Sequence, residues 1–159
     1  MKYLIAIKDI VITVLCILSF FFLLSFISKG NIPLIQQNNE VIMLSPMEAY
    51  LRGNIKIDDD NSITNWRNEK NVAHWRFKCN QSGIYKVTLI HNKSYKDFTL
   101  NFNCGKQSFK QDLNKNSKET VLGELKLQEG IQEVALYIPN FPKKSKLPAI
   151  FSIVLTKIK

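Results

Sequence analysis

Between residues 72 and 89 the chain reads V-A-H-W-R-F-K-C-N-Q-S-G-I-Y-K-V-T-L, with large apolar residues on every second position. Trp75, Phe77 and Cys79 alternate with His74, Arg76 and Lys78, and Tyr85, Val87 and Leu89 repeat the pattern after Ser82 and Gly83. A period of two puts successive side chains on opposite faces of a strand, so each run is a strand with one buried face. The short Asn-Gln-Ser-Gly connection predicts a β-hairpin, and the aromatic residues on its inner face require a second sheet to cover them. That requirement points to a β-sandwich.

The same signal recurs along the chain. Phe98, Leu100, Phe102 and Cys104 alternate with Thr99, Asn101 and Asn103, and a turn at residues 104–107 leads into a further run at 108–113. Residues 120–127, 133–138 and 150–158 supply three more, the last with Phe151, Ile153 and Leu155 on one face. Upstream, residues 41–44 form a short apolar strand stopped by Ser45 and Pro46, and residues 47–57 carry Ala49, Leu51 and Ile55 around Gly53. About eight or nine short strands at roughly ten-residue spacing predict an all-β fold, an antiparallel jelly-roll β-sandwich over residues 41–159. A domain of about 120 residues buries about two thirds of its surface, enough for one core. The sequence shows no internal repeat.

Residues 1–28 open with Lys2 and Lys8 and then run uncharged from Ile10 to Ile27. As a helix this run covers about 27 Å, near the lower limit for crossing a hydrocarbon core. One N-terminal hydrophobic helix is therefore expected before the sandwich. It reads as an uncleaved signal anchor in preference to a cleaved signal peptide, because only Ser28 and Gly30 offer small residues at a cut. Val14 and Leu15 are too bulky for a lipoprotein signal at Cys16. The two leading lysines direct the following chain outward. The domain is thus expected to be membrane-anchored and extracytoplasmic, or secreted if the segment is cut, with residues 29–40 as a Gly-, Pro-, Gln- and Asn-containing linker.

The formal charge of +9 comes from 19 Lys and only 3 Arg, so the chain lacks the guanidinium forks that read bases or grip phosphates. Nucleic acid is not an expected partner. Lysines at 115 and 118, and at 143, 144 and 146, form either a solvated surface or an attraction for an anionic polymer.

Six segments taken in order carry a family resemblance: A-x-L-x-G-x-I-x-I from Ala49, Trp66, V-x-x-W-x-F from Val72, G-x-Y-x-V-x-L from Gly83, L-G-E-L-x-L-x-x-G from Leu122, and I-x-S-I-x-L from Ile150. Together they resemble the galactose-binding-like β-sandwiches, within them the carbohydrate-binding modules of families 6 and 35 and the β-sandwich domain appended to bacterial α-L-fucosidases. The resemblance implies a non-catalytic carbohydrate-binding module, accessory to glycoside hydrolases. In such modules an aromatic residue before the L-G-x-L-x-L hairpin and an Asn opening the final strand commonly touch the sugar. Here Lys118-Glu119-Thr120 and Pro148-Ala149 stand at those places, so the family contacts do not transfer. The structural calcium of many relatives uses first-strand carboxylates, where this chain has only Glu40 and Glu48.

Candidate site residues come from loops. Trp66 lies in N-S-I-T-N-W-R-N, where its indole either presents a face to a sugar ring, with Asn65, Arg67 and Asn68 as hydroxyl partners, or caps the core. Asn140 and Phe141, before the last strand, form a second candidate pair, and Tyr50 and Tyr95 are lesser ones. Asp58 and Asp60 offer the oxygen ligands calcium prefers but lack the spaced Gly and distal Glu of a helix-loop-helix site, so a solvated turn competes with a metal role. Cys79 and Cys104 each end an inward-facing run and form either a disulfide or two buried thiols. His74 and His91 are the only histidines and no nucleophile or metalloprotease pattern accompanies them, which speaks against an enzyme. The expected function is a membrane-tethered module that binds carbohydrate or envelope polysaccharide. The alternative is a structural or protein-interaction module of the envelope that has lost its sugar site.

Overall fold

The computed structural model describes residues 34–36, 40–67, 70–93, 98–113, 116–139 and 149–159. The apolar segment at 10–27 lies outside them, and among the described residues no helix is long and apolar enough to cross a membrane. Twelve strands are described: β1 (Leu34–Gln36), β2 (Val41–Leu44), β3 (Tyr50–Arg52), β4 (Lys56–Ile57), β5 (Ile63–Thr64), β6 (Val72–Cys79), β7 (Gly83–His91), β8 (Phe98–Cys104), β9 (Gln107–Leu113), β10 (Glu119–Leu127), β11 (Gly130–Tyr137) and β12 (Ile150–Lys157). They form two sheets. The front sheet runs β1-β6-β11-β8-β9 with β3 also on β6, and the back sheet runs β10-β7-β12-β5-β4 with β2 also on β12. The all-β sandwich expected from the alternation is present. Pairing is antiparallel except for β1, a parallel strand on β6 contributed by the segment whose composition reads as a linker.

The expected hairpin at residues 72–89 is not one. β6 pairs with β11 and β3 in the front sheet, whereas β7 pairs with β10 and β12 in the back sheet. The Asn80-Gln81-Ser82 connection therefore crosses the core gap. It is pinned by the Tyr85 hydroxyl, which donates to the Gln81 carbonyl at 2.8 Å, and by the Cys79 thiol, 3.1 Å from the same oxygen. The cover required for Trp75 and Phe77 is thus supplied by the other half of the same stretch: all of Trp75, Phe77, Cys79, Tyr85, Val87 and Leu89 are fully buried. Each such large side chain stabilises the fold by roughly 1.5–3 kcal/mol through burial. The step from β10 to β11 likewise crosses between sheets, whereas β8 and β9 form a true hairpin.

Two irregularities adjust the pattern. The β12 register shifts between Ile150 and Ser152, which buries Ile150 and removes Phe151 from the inner face, where simple alternation puts it. In β10 the shift falls between Val121 and Gly123, and Gly123 adopts φ +152° beneath the Phe109 ring. A Cβ there would stand 2.7 Å from Phe109 Cδ1, so glycine lets β9 lie against β10. The Gln107 side chain completes this closure by donating to the Lys126 carbonyl at 2.8 Å and accepting from the Lys126 amide at 2.9 Å, which satisfies the edge of the back sheet.

Candidate ligand-binding face of the front sheet

The loop on which the sequence concentrates its candidates is folded against the core. Trp66 is only 3% exposed, and its indole N–H donates to the Ile63 carbonyl at 3.2 Å. It therefore has no free face for a sugar, which corrects its assignment as a ligand-stacking residue in favour of the core alternative. Asn65, in left-handed backbone at φ 63°, donates its side-chain amide to the Asn54 carbonyl and accepts from Arg67 Nε. Beneath them lies a fully buried Asn71, whose Oδ1 accepts the Asn54 amide at 3.0 Å. A Cβ at Gly53 would stand 2.1 Å from that Oδ1, so the turn needs glycine to approach so closely. Asn65 and Arg67 thus hold the loop to itself. Asn68, Tyr95, Asn140 and Phe141 lie outside the described residues.

Asp58 and Asp60 each serve the turn they sit in. Asp58 pairs with Lys56 at 2.5 Å and accepts from Thr64 Oγ1 at 2.8 Å, contacts that hold its carboxyl below the usual carboxylate range. Asp60 accepts both the amide and the hydroxyl of Ser62. Among the described residues no group of three or more His, Cys, Asp or Glu side chains is placed to hold a metal.

Cys79 and Cys104 are two free, buried thiols, so the disulfide alternative is corrected. They lie on β6 and β8 with β11 between them. Strands two apart are separated by about 9.5 Å, beyond the roughly 7 Å that a disulfide spans between Cα atoms. Burial, with Cys79 nearby as a smaller cause, pushes the Cys104 thiol up to about 11.

Thr120 and Ala149 both make bonds within the fold. Thr120 Oγ1 meets Nε2 of the buried His91 at 3.0 Å, and the Ala149 amide donates to Asn92 Oδ1 at 2.8 Å while its carbonyl accepts the Asn92 amide at 3.1 Å. These bonds tie β7 to the segments beside it.

The chemistry suited to a ligand gathers elsewhere, on the outward face of the front sheet. Strand register aligns Tyr50, His74, Ala135, Asn103 and Ser108 in one row across β3, β6, β11, β8 and β9. The next row holds Arg52, Val72, Tyr137, Asn101 and Lys110. Ala135 carries a single side-chain carbon among taller neighbours, so the middle of the face is low. The Tyr137 hydroxyl accepts from Asn101 Nδ2 at 3.0 Å and from Asn103 Nδ2 at 3.5 Å, and Ser108 Oγ donates to Asn103 Oδ1 at 2.7 Å. Asn101 Oδ1 is buried and has no hydrogen-bond partner. Such an orphan acceptor costs about 1–3 kcal/mol until a donor reaches it.

The other end of the face is basic. Tyr50 is 43% exposed and its ring centroid is 6.4 Å from that of His74. His74 is held below its ordinary pKa by burial and then by Arg52, partly offset by Glu133. Arg76 follows on the same face of β6, with Nε buried, without a hydrogen bond and 3.8 Å from Glu133 Oε1. Aromatic, amide, hydroxyl and cationic groups thus share one open surface suited to a polyhydroxylated ligand with an apolar ring face. From sequence Tyr50 is only a lesser candidate, and Asn101, Asn103 and Tyr137 are not candidates. Their one local signal is the polar half of the β8 alternation.

Solved structures share this fold at low sequence identity. A Podospora anserina GH26-CBM35 β-(1,4)-mannanase matches with TM-score 0.64 and 13% identity over 77% of this chain and 28% of its own. This chain therefore spans little more than a quarter of that enzyme. The family 35 carbohydrate-binding module from Clostridium thermocellum matches with TM-score 0.56 and 14% identity over 72% of this chain and 98% of its own. The insecticidal crystal protein Cry2Aa matches with TM-score 0.64 and 10% identity over 79% of this chain and 23% of its own. The chain thus shares its β-sandwich fold with these proteins. No curated protein matches the sequence. A family match spans residues 48–150, and the chain belongs to that family, described as a domain of unknown function (DUF5077).

Proposed function

We propose that the domain is a non-catalytic carbohydrate-binding module that holds a glycan against the outward face of its front sheet. The observation that carries this reading is the Tyr137 hydroxyl, which the side-chain amides of Asn101 and Asn103 position on that face by donating to its oxygen. Its O–H is left to donate to a sugar oxygen, with the Ser108 hydroxyl beside Asn103 as a second polar contact. Tyr50, standing clear at the end of the neighbouring row, offers a ring for the apolar face of a pyranose. The carbohydrate-binding modules with the same fold support the reading. The apolar run at residues 10–27 supports a membrane-tethered, outward-facing arrangement in which the module serves glycan-processing partners.

Calorimetric titration of the full chain with neutral oligosaccharides tests the reading. Binding is expected, and Tyr137→Phe, which keeps the ring and removes one hydroxyl, should weaken it by about fivefold to tenfold. Absence of binding to any glycan would favour a protein-interaction module of the envelope. That second reading is supported by the structural use of Thr120 and Ala149.

A further inference from the structure

The cationic end of the front-sheet face exceeds what a neutral sugar needs. Tyr50 and Arg52 on β3 lie in register with His74 and Val72 on β6. Arg76 follows His74 by two residues, about 7 Å along the same face of the strand. Among the described residues the charged and titratable neighbours of His74 are thus Tyr50 and Arg52 from β3, Arg76 and then Lys78 along β6, and Glu133 from β11. Glu133 is the one anion among them. Its carboxylate is largely exposed and stands 3.8 Å from Arg76 Nε, too far for a hydrogen bond, so Glu133 does not engage the partly exposed guanidinium in a bidentate pair.

Resting on the carbohydrate reading above, we propose that Arg52, His74 and Arg76 form an anion subsite, so that the glycan held on this face is one bearing carboxylate or sulfate ester groups. Arginine suits both oxyanions because its planar fork donates two parallel hydrogen bonds to them. His74 adds a proton-dependent contribution. Burial and then Arg52 lower its pKa, and an anion bound beside it favours the imidazolium, so affinity for a charged ligand rises as pH falls while affinity for a neutral ligand does not.

The test titrates the full chain with three oligosaccharides of equal length: a neutral galactan fragment, a galacturonate fragment and a sulfated galactan fragment. At least one charged fragment is expected to bind about tenfold more tightly than the neutral one at moderate salt. Which of the two does so tells carboxylate from sulfate. Arg76→Gln and Arg52→Gln should each lower the charged-to-neutral affinity ratio, Glu133→Gln should raise it, and His74→Gln should remove its pH dependence. Equal affinity for all three fragments overturns the anion subsite while leaving the sugar face standing. A charged preference that survives both arginine substitutions and disappears with added salt overturns it as well, because it then belongs to the general lysine charge. No binding of any fragment overturns this inference together with the reading on which it rests.

Discussion

Replacing Trp66 separates a core residue from a ligand platform. The side chain is 97% out of solvent and donates its indole N–H to the Ile63 carbonyl. Truncating a buried tryptophan to alanine costs about 3–5 kcal/mol. Losing the indole hydrogen bond to the Ile63 carbonyl adds about 1 kcal/mol, so Trp66→Ala should lose about 4–6 kcal/mol of folding stability. Trp66→Phe keeps most of the ring and loses mainly the hydrogen bond and some packing, about 1–2 kcal/mol. Urea unfolding of the full chain, followed by fluorescence, gives both numbers, because Trp75 remains as a fully buried reporter in either variant. The phenylalanine variant should also bind oligosaccharide like the parent chain. A Trp66→Ala loss below about 1 kcal/mol, or a Trp66→Phe protein that is stable but no longer binds sugar, would refute the core assignment.

Further expectations concern the scaffold. Gly123→Ala should destabilise by about 1–3 kcal/mol, since the new Cβ meets the Phe109 ring at 2.7 Å and the backbone φ is positive; thermal unfolding measures it. Asn71→Ala removes the acceptor of the Asn54 amide and should cost about 1–3 kcal/mol, with faster amide exchange at residues 54 and 65–67. Thiol titration should find Cys79 and Cys104 unreactive in the folded chain and both reactive after unfolding without reductant. Folding stability should decline above about pH 9. The raised Cys104 value of about 11 and the raised Tyr85 value of about 12, both caused chiefly by burial, make the unfolded chain lose these protons first. Cys104→Ala should flatten the slope between about pH 9 and 11.

The strands were legible because period-two alternation reports which face of a strand is buried, and Trp75, Phe77, Tyr85 and Val87 all lie where it puts them. Alternation does not report which strand is the neighbour. A connection as short as Asn80-Gln81-Ser82 can close a hairpin or cross between sheets, and the Tyr85 bond to Gln81 that fixes the crossing joins a side chain to a loop carbonyl. Trp66 was ambiguous for a related reason. Its polar neighbours read as an open loop, yet buried Asn71 and the left-handed Asn65 fold that loop inward. The front-sheet face was the least legible part. Asn101 and Tyr137 are far apart in sequence, and only the β8–β11 register brings them within hydrogen-bond distance. The high Asn content of the chain also hid the two asparagines that matter.

A glycan on the front sheet and a glycan on the loop around Trp66 would disturb different residues. Amide chemical-shift mapping of the full chain, titrated with whichever oligosaccharide binds, tells the two apart. Perturbations are expected to cluster at His74, Asn101, Asn103, Ala135 and Tyr137, across three strands that only this register unites. Perturbations confined to residues 65–67, or to the outward face of the back sheet, would contradict a glycan site on the front sheet.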